Sequence, residues 1–181
     1  MVKLNHSSSS LPANNIFRDC YNLTNVTITC SNYRYNNCYM DNGFRNCYNL
    51  TRVAGALPAS MNDGFHNCNK LTTVVQSGGF LTGDYGINCF KNCTSLTNIN
   101  TGVTIGFRYA NNMFENCTNL VDAGTAMSMT YFPSIFANCV NLTKAPSSIV
   151  GSYGQYAFKG CTKLVDGPTT FNASSNSVGA F

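Results

Sequence analysis

Ten cysteines and two histidines, His6 and His66, are the side chains of this chain best equipped for nucleophilic, redox or metal chemistry. Their spacing supports none of it. His66 and Cys68 stand two apart, which points them in different directions in an extended turn, so they make no Cys–His dyad. Cys89 and Cys93 lack the second pair or the histidine that would close a zinc site. The acids are scattered, no paired carboxylates stand out, and no glycine-rich phosphate loop occurs. The expectation is a chain with no catalytic residues, no cofactor and no metal. Seven of the cysteines do something else. Each follows a phenylalanine by three residues and precedes a leucine by three.

The unit is F-x-x-C-x-x-L. Its copies are Phe17-Cys20-Leu23, Phe44-Cys47-Leu50, Phe65-Cys68-Leu71, Phe90-Cys93-Leu96, Phe114-Cys117-Leu120, Phe136-Cys139-Leu142 and Phe158-Cys161-Leu164. The phenylalanines lie 27, 21, 25, 24, 22 and 22 residues apart. Self-similarity at such a period is the signature of a stacked-repeat architecture. A lone helix also places residues three apart on one face, but the Gly, Asn, Pro and Ser between copies break helices. Each unit therefore reads as one coil of a solenoid: a tight turn or short 3₁₀ piece, a short strand and a return loop of turn or 3₁₀ segments. One coil cannot cover its own Phe, Cys and Leu, so its neighbours supply the core. About seven coils occupy residues 11–171. Residues 1–10 read as a flexible or partner-docked leader, and 172–181 as a partial eighth repeat or a C-terminal plug.

The unit resembles the leucine-rich repeat of the BspA-like, bacterial surface-antigen type, which runs A-F-x-x-C-x-x-L-x-x-I-x-I-P. Tyr156-Ala157-Phe158-Lys159-Gly160-Cys161-Thr162-Lys163-Leu164 is the copy nearest that pattern, and the resemblance spans nearly the whole chain. It implies a right-handed solenoid with short parallel strands, and a non-enzymatic role in recognition or adhesion. There is one departure. The second apolar strand position holds Ile28 in the first copy but Gly55, Gln76, Thr101, Thr125, Ser147 and Thr169 later. The strands should be shorter, and the core thinner, than the family pattern implies.

Cysteines in one phase of the repeat point the same way into the core. Coils about 4.8 Å apart would allow bridging, but parallel side chains do not give the torsion of roughly 90° that a disulfide needs. Buried free cysteine packs as a small apolar group, so a ladder of reduced thiols is expected. Cys30, Cys38 and Cys89 fall outside it, and a Cys30–Cys38 pair stays open.

Charged residues make up 10% of the chain, against about 25% in ordinary soluble domains; Asn, Ser and Thr take over the surface. Asn tolerates the positive φ that a coil needs at its turns. The net charge of +4 comes without a basic run, which argues against nucleic-acid binding. No apolar run approaches the length of a membrane span. The start, Met1 to Ser10, lacks a signal peptide's apolar core, so export by the general route is not expected.

Equivalent residues of adjacent coils lie side by side, so the surface is read in columns. Two positions after each Leu, Arg52, Asn98, Asp122, Lys144 and Asp166 belong to an outward strip with alternating charge. One position after each Phe, Arg18, Arg45, His66, Lys91, Glu115, Ala137 and Lys159 make a basic stripe along one edge, an ordinary solvated face or one drawn to an anionic surface. Five positions before the Phe, Tyr39, Tyr85, Tyr109, Tyr131 and Tyr153 form an aromatic column that packs the coil corner or binds a partner. The columns holding Tyr85, Tyr109, Tyr131, Tyr153, Arg52, Asn98, Asp122, Lys144 and Asp166 are the candidate partner-binding surface. The expected partners are other protein chains at the open solenoid ends, in a homo-oligomer or larger assembly, and a host surface glycan or protein. Reduced thiols and the start of the chain favour a phage virion component, a tail or head fibre or accessory protein assembled in the host cytosol. The alternative is a BspA-like adhesin on a bacterial cell surface.

Overall fold

The computed structural model describes residues 2–6, 13–30, 39–55, 57–76, 80–99, 104–124 and 126–181. Every strand pairing among them is parallel, and no helix occurs. The chain is a parallel β-solenoid of the leucine-rich-repeat kind. Its strands are β1 (Val2–His6), β2 (Asn25–Cys30), β3 (Arg52–Gly55), β4 (Thr73–Gln76), β5 (Phe80–Tyr85), β6 (Thr104–Tyr109), β7 (Ala126–Ser128), β8 (Ser148–Tyr153) and β9 (Thr170–Asn176). They form two sheets in sequence order, β1 to β4 and β5 to β9.

Each coil is bent by the same turn. Residues two before and two after the phenylalanine sit in the left-handed region: Asn88 (φ 54°) and Asn92 (φ 62°) around Phe90, Asn112 (φ 54°) and Asn116 (φ 61°) around Phe114. Asparagine is among the few side chains that tolerate this conformation, which explains the Asn-rich repeat. Between those bends the Phe amide bonds to the next coil, as Phe90 N does to Met113 O at 2.8 Å. The ring points inward. Rings from Phe17 to Phe158 stack at 5.3–5.5 Å between centroids, and Phe181 stacks on Phe158 at 5.3 Å. The Phe and Leu of the second to sixth copies are almost wholly buried, whereas Phe17 and Leu23 at the first copy are half-buried.

The departure in the repeat has a structural consequence. The first sheet follows the leucines, with Val26 and Ile28 of β2 and Val53 of β3 turned inward. In later coils this side shrinks to single bridges, Asn98 to Asp122 to Lys144 to Asp166. The return segment carries the strands there instead, a correction to the expectation that it holds only turns. Ile105 and Phe107 of β6 are buried, as are Met127 and Ile149 in the neighbouring strands. Gly83 and Gly151 let this second sheet approach the preceding coil: a Cβ on either would lie 1.9 Å from the carbonyl oxygen of Ala59 or Met129.

The leader expected over 1–10 contains a strand. Val2–His6 pairs with β2, Val2 opposite Val26 and His6 opposite Cys30. The suggested Cys30–Cys38 pair lies outside the described residues.

Candidate recognition surface

The thiols are occupied by structure. Cys47 Sγ donates to Phe17 O at 3.1 Å, Cys93 Sγ to Phe65 O at 3.2 Å, Cys117 Sγ to Phe90 O at 3.1 Å, and Cys139 Sγ to Phe114 O at 3.1 Å. Cys68 and Cys161 repeat the contact. All seven column thiols and Cys89 are free. Burial pushes Cys47 and Cys161 up to about 11 from 9.0, and Cys68, Cys93, Cys117 and Cys139 further still. A thiol so held is a poor nucleophile and a poor metal ligand. No group of three or more His, Cys, Asp or Glu among the described residues is placed to hold a metal ion.

His66 is likewise bound into the scaffold. Its Nδ1 lies 2.7 Å from Asp63 Oδ1, and Nε2 lies 3.4 Å from Asn92 Nδ2. The orientation of Asn92 is fixed by a feature that the sequence reading missed. The asparagine two after each phenylalanine donates from Nδ2 to Oδ1 one coil back: Asn67 to Asn46 at 2.8 Å, Asn92 to Asn67 at 2.8 Å, Asn116 to Asn92 at 2.8 Å and Asn138 to Asn116 at 3.0 Å. Asp19 accepts from Asn46 at the start. Gly160 holds the equivalent place at the end, where a Cβ would lie 2.6 Å from Asn138 Oδ1. The signal was a column with one amide per coil.

Most of the basic stripe has partners within the solenoid. Lys91 Nζ lies 2.7 Å from Glu115 Oε2, Arg45 3.8 Å from Asp63, Arg18 3.5 Å from Asp19, and Lys159 lies over the Tyr156 ring.

The strip after the leucines falls into two groups. Arg52 lies between Asn25 and Thr73 in the first sheet. Asn98, Asp122, Lys144 and Asp166 adjoin through bridges. Lys144 Nζ is 3.6 Å from Asp122 Oδ2, and Asp166 has no ion pair among the described residues. Arg52, Asn98, Lys144 and Asp166 are exposed.

The tyrosine column is interrupted. Tyr39 and Tyr85 both bridge to Ser60, which is buried and donates to Asp41 Oδ1 at 2.9 Å. Beyond it, Tyr85, Tyr109, Tyr131 and Tyr153 stack at 5.3, 5.0 and 4.6 Å. Rings this close cover each other's faces. The column therefore presents ring edges and hydroxyls to the outside, and no sugar ring can slip between its members.

Beside the column, the outer face of β5 to β8 forms an open groove of about 470 Å³. Gly106 and Ser128 keep its floor low; Arg108, Thr130, Val150 and Ser152 line it. The Arg108 guanidinium stands 5.4 Å from the centre of the Tyr109 ring and makes no ion pair with any described residue. Sequence reasoning missed this face because it sits on strands read as return segments. The alternation in Thr104-Ile105-Gly106-Phe107-Arg108-Tyr109 was the signal available.

No helix among the described residues is long and apolar enough to cross a membrane. The BspA type leucine rich repeat region family matches in six copies, over residues 2–75 and 41–165. The crystal structure of the T. pallidum leucine rich repeat protein TpLRR is similar, with a TM-score of 0.60 and 20% identity over 91% of this chain and 72% of that one. No curated protein matches.

Proposed function

The chain belongs to the BspA type leucine rich repeat family, and from that premise we propose that it is a non-catalytic recognition protein working at a bacterial cell surface or outside the cell. Repeats of this type are typically interaction scaffolds at such surfaces. The virion placement draws no support from either comparison. Its thiol argument also loses force, because burial and a hydrogen bond to the preceding coil hold these thiols wherever the chain folds.

The observation that carries the reading is the Tyr85–Tyr109–Tyr131–Tyr153 stack flanked by the open groove on β5 to β8. Four coils there present hydroxyl-bearing edges on one rigid frame, and rigid aromatic side chains are favoured anchors for partners. The bridged strip Asn98, Asp122, Lys144 and Asp166 is the second contact region.

The test is binding of the purified chain to matrix proteins and glycans immobilised as a panel. Tyr109→Phe with Tyr131→Phe keeps the stack and removes two hydroxyls. Tyr109→Ala, Tyr131→Ala and Tyr153→Ala together remove the stack. Both should weaken binding while the circular dichroism spectrum is kept. Undiminished binding by the folded alanine variant would discard the column as the recognition surface.

A further inference from the structure

The groove on β5 to β8 carries one cation that is in no ion pair, and several hydroxyls that make no side-chain hydrogen bond, among the described residues. Arg108 is exposed, sits over the Tyr109 ring and is in no ion pair among the described residues. Asp84 is next to it across the sheet, since Gly83 opposes Phe107 and Tyr85 opposes Tyr109; no ion pair joins the two. Among the described residues, the hydroxyls of Ser128, Thr130 and Ser152 make no side-chain hydrogen bond. The backbone beneath them is spent in the sheet and corner bonds, as Thr130 N and Ser152 N are to Arg108 O and Thr130 O.

Resting on the recognition role above, we propose that this groove binds a linear glycan bearing carboxylates, which lies across the strands along the solenoid axis. The chemistry selects the class. A peptide recognised on a sheet gains most of its affinity by adding a strand to an open edge, and the groove lies on the face of the sheet. A peptide anchor also needs an apolar pocket, yet of the apolar side chains lining the groove Phe107 and Met129 are buried and Val150 alone is exposed. A sugar brings hydroxyls that both donate to and accept from Ser128, Thr130 and Ser152. Its carboxylate matches the two-pronged donor geometry of Arg108. One sugar unit is comparable in length to the strand spacing of about 4.8 Å, so successive residues meet successive coils.

The test uses oligogalacturonate as the probe, followed by calorimetry on the full chain. Wild type should bind it, more weakly as salt rises, and should not bind its methyl ester. Arg108→Gln should raise Kd about tenfold or more, the worth of a charge-assisted hydrogen bond, with Arg108→Lys between. Ser128→Trp fills the groove from an exposed position and should abolish binding. The melting temperature shows that each variant is folded. No binding of oligogalacturonate or any other carboxylated glycan, or binding unchanged in Arg108→Gln and Ser128→Trp, overturns the proposal. Binding of poly-glutamate in place of the glycan, lost in Arg108→Gln, also overturns it but leaves the recognition role standing. That role fails separately, in the tyrosine variants.

Discussion

Cys117 Sγ lies 3.1 Å from the carbonyl oxygen of Phe90, one coil back. The same carbonyl accepts the amide of Cys93 within its own turn at 3.0 Å. A carbonyl oxygen has two lone pairs, and both are used. The thiol is therefore a coil-to-coil tie as well as a packing group. This explains why a residue with a weak donor fills a core position where Ala or Val would pack.

The ties predict a pattern of thiol protection. In native protein, among the column thiols, an aromatic disulfide reagent should label Cys20, which is exposed, fast. Cys68, Cys93, Cys117 and Cys139 should label only on unfolding. Rapid labelling of those four would mean that the columns open. Stability should also fall in alkali. The Cys47 and Cys161 thiols are raised to about 11 from 9.0 by burial. Below pH 9 both folded and unfolded chains hold the proton, so the contribution is complete. Between pH 9 and about 11 the unfolded chain loses it first, and stability drops. The melting temperature measured across that window should decline, and less so in Cys47→Val.

Asn92 gives a second prediction. Its φ is 62°, and its amide both donates to Asn67 and accepts from Asn116. Asn92→Gly and Asn92→Ala lose the same two bonds, but only alanine is strained at that φ. Denaturant unfolding should find Asn92→Ala less stable than Asn92→Gly by about 1 kcal/mol. Equal stability would remove the backbone explanation for the asparagine columns.

These examples mark where sequence was sufficient. Phe90, Cys93 and Leu96 recur at one phase with one side-chain type, so their burial could be read from period alone. Ile105, Met127 and Ile149 also share one row of the second sheet, each nine residues before a phenylalanine, but their types differ from coil to coil, so no fixed letter marked the row. The asparagine ladder needed the register between coils, which decides whether equal residues touch. The ion pairs of the basic stripe could not be read from the column alone, because some of their partners lie off it. Asp63, two residues before a phenylalanine, takes both Arg45 and His66.

Asp63 supplies a third prediction. Burial alone would raise its carboxyl, but the hydrogen bond and charge of His66 and the charge of Arg45 outweigh it and hold the group below 3.8. A depressed carboxyl contributes its stability above the unfolded value and loses it as pH falls below 3.8. Stability followed from pH 5 downward should fall more gently in Asp63→Asn than in wild type. Matching slopes would show that the cluster adds nothing to acid stability.

The last prediction comes from a broken series. Three residues before each of the first three phenylalanines of the repeat, a side-chain oxygen accepts the amide of the equivalent residue one coil on: Asn14 from Asp41 at 2.9 Å, Asp41 from Asn62 at 2.8 Å and Asn62 from Ile87 at 3.1 Å. Asn111 holds the same position, and its next-coil equivalent is Pro133. Proline has no N–H to give, and Asn111 Oδ1 is buried with no partner. Asn62→Ala leaves the part-buried Ile87 amide unpaired and should cost about 1 kcal/mol or more, whereas Asn111→Ala removes an acceptor that was already unpaired and should cost almost nothing or stabilise. Urea midpoints of the two variants, at equal m-values, make the comparison direct. A loss in Asn111→Ala as large as in Asn62→Ala would mean that the Asn111 amide has a partner other than the next coil's backbone.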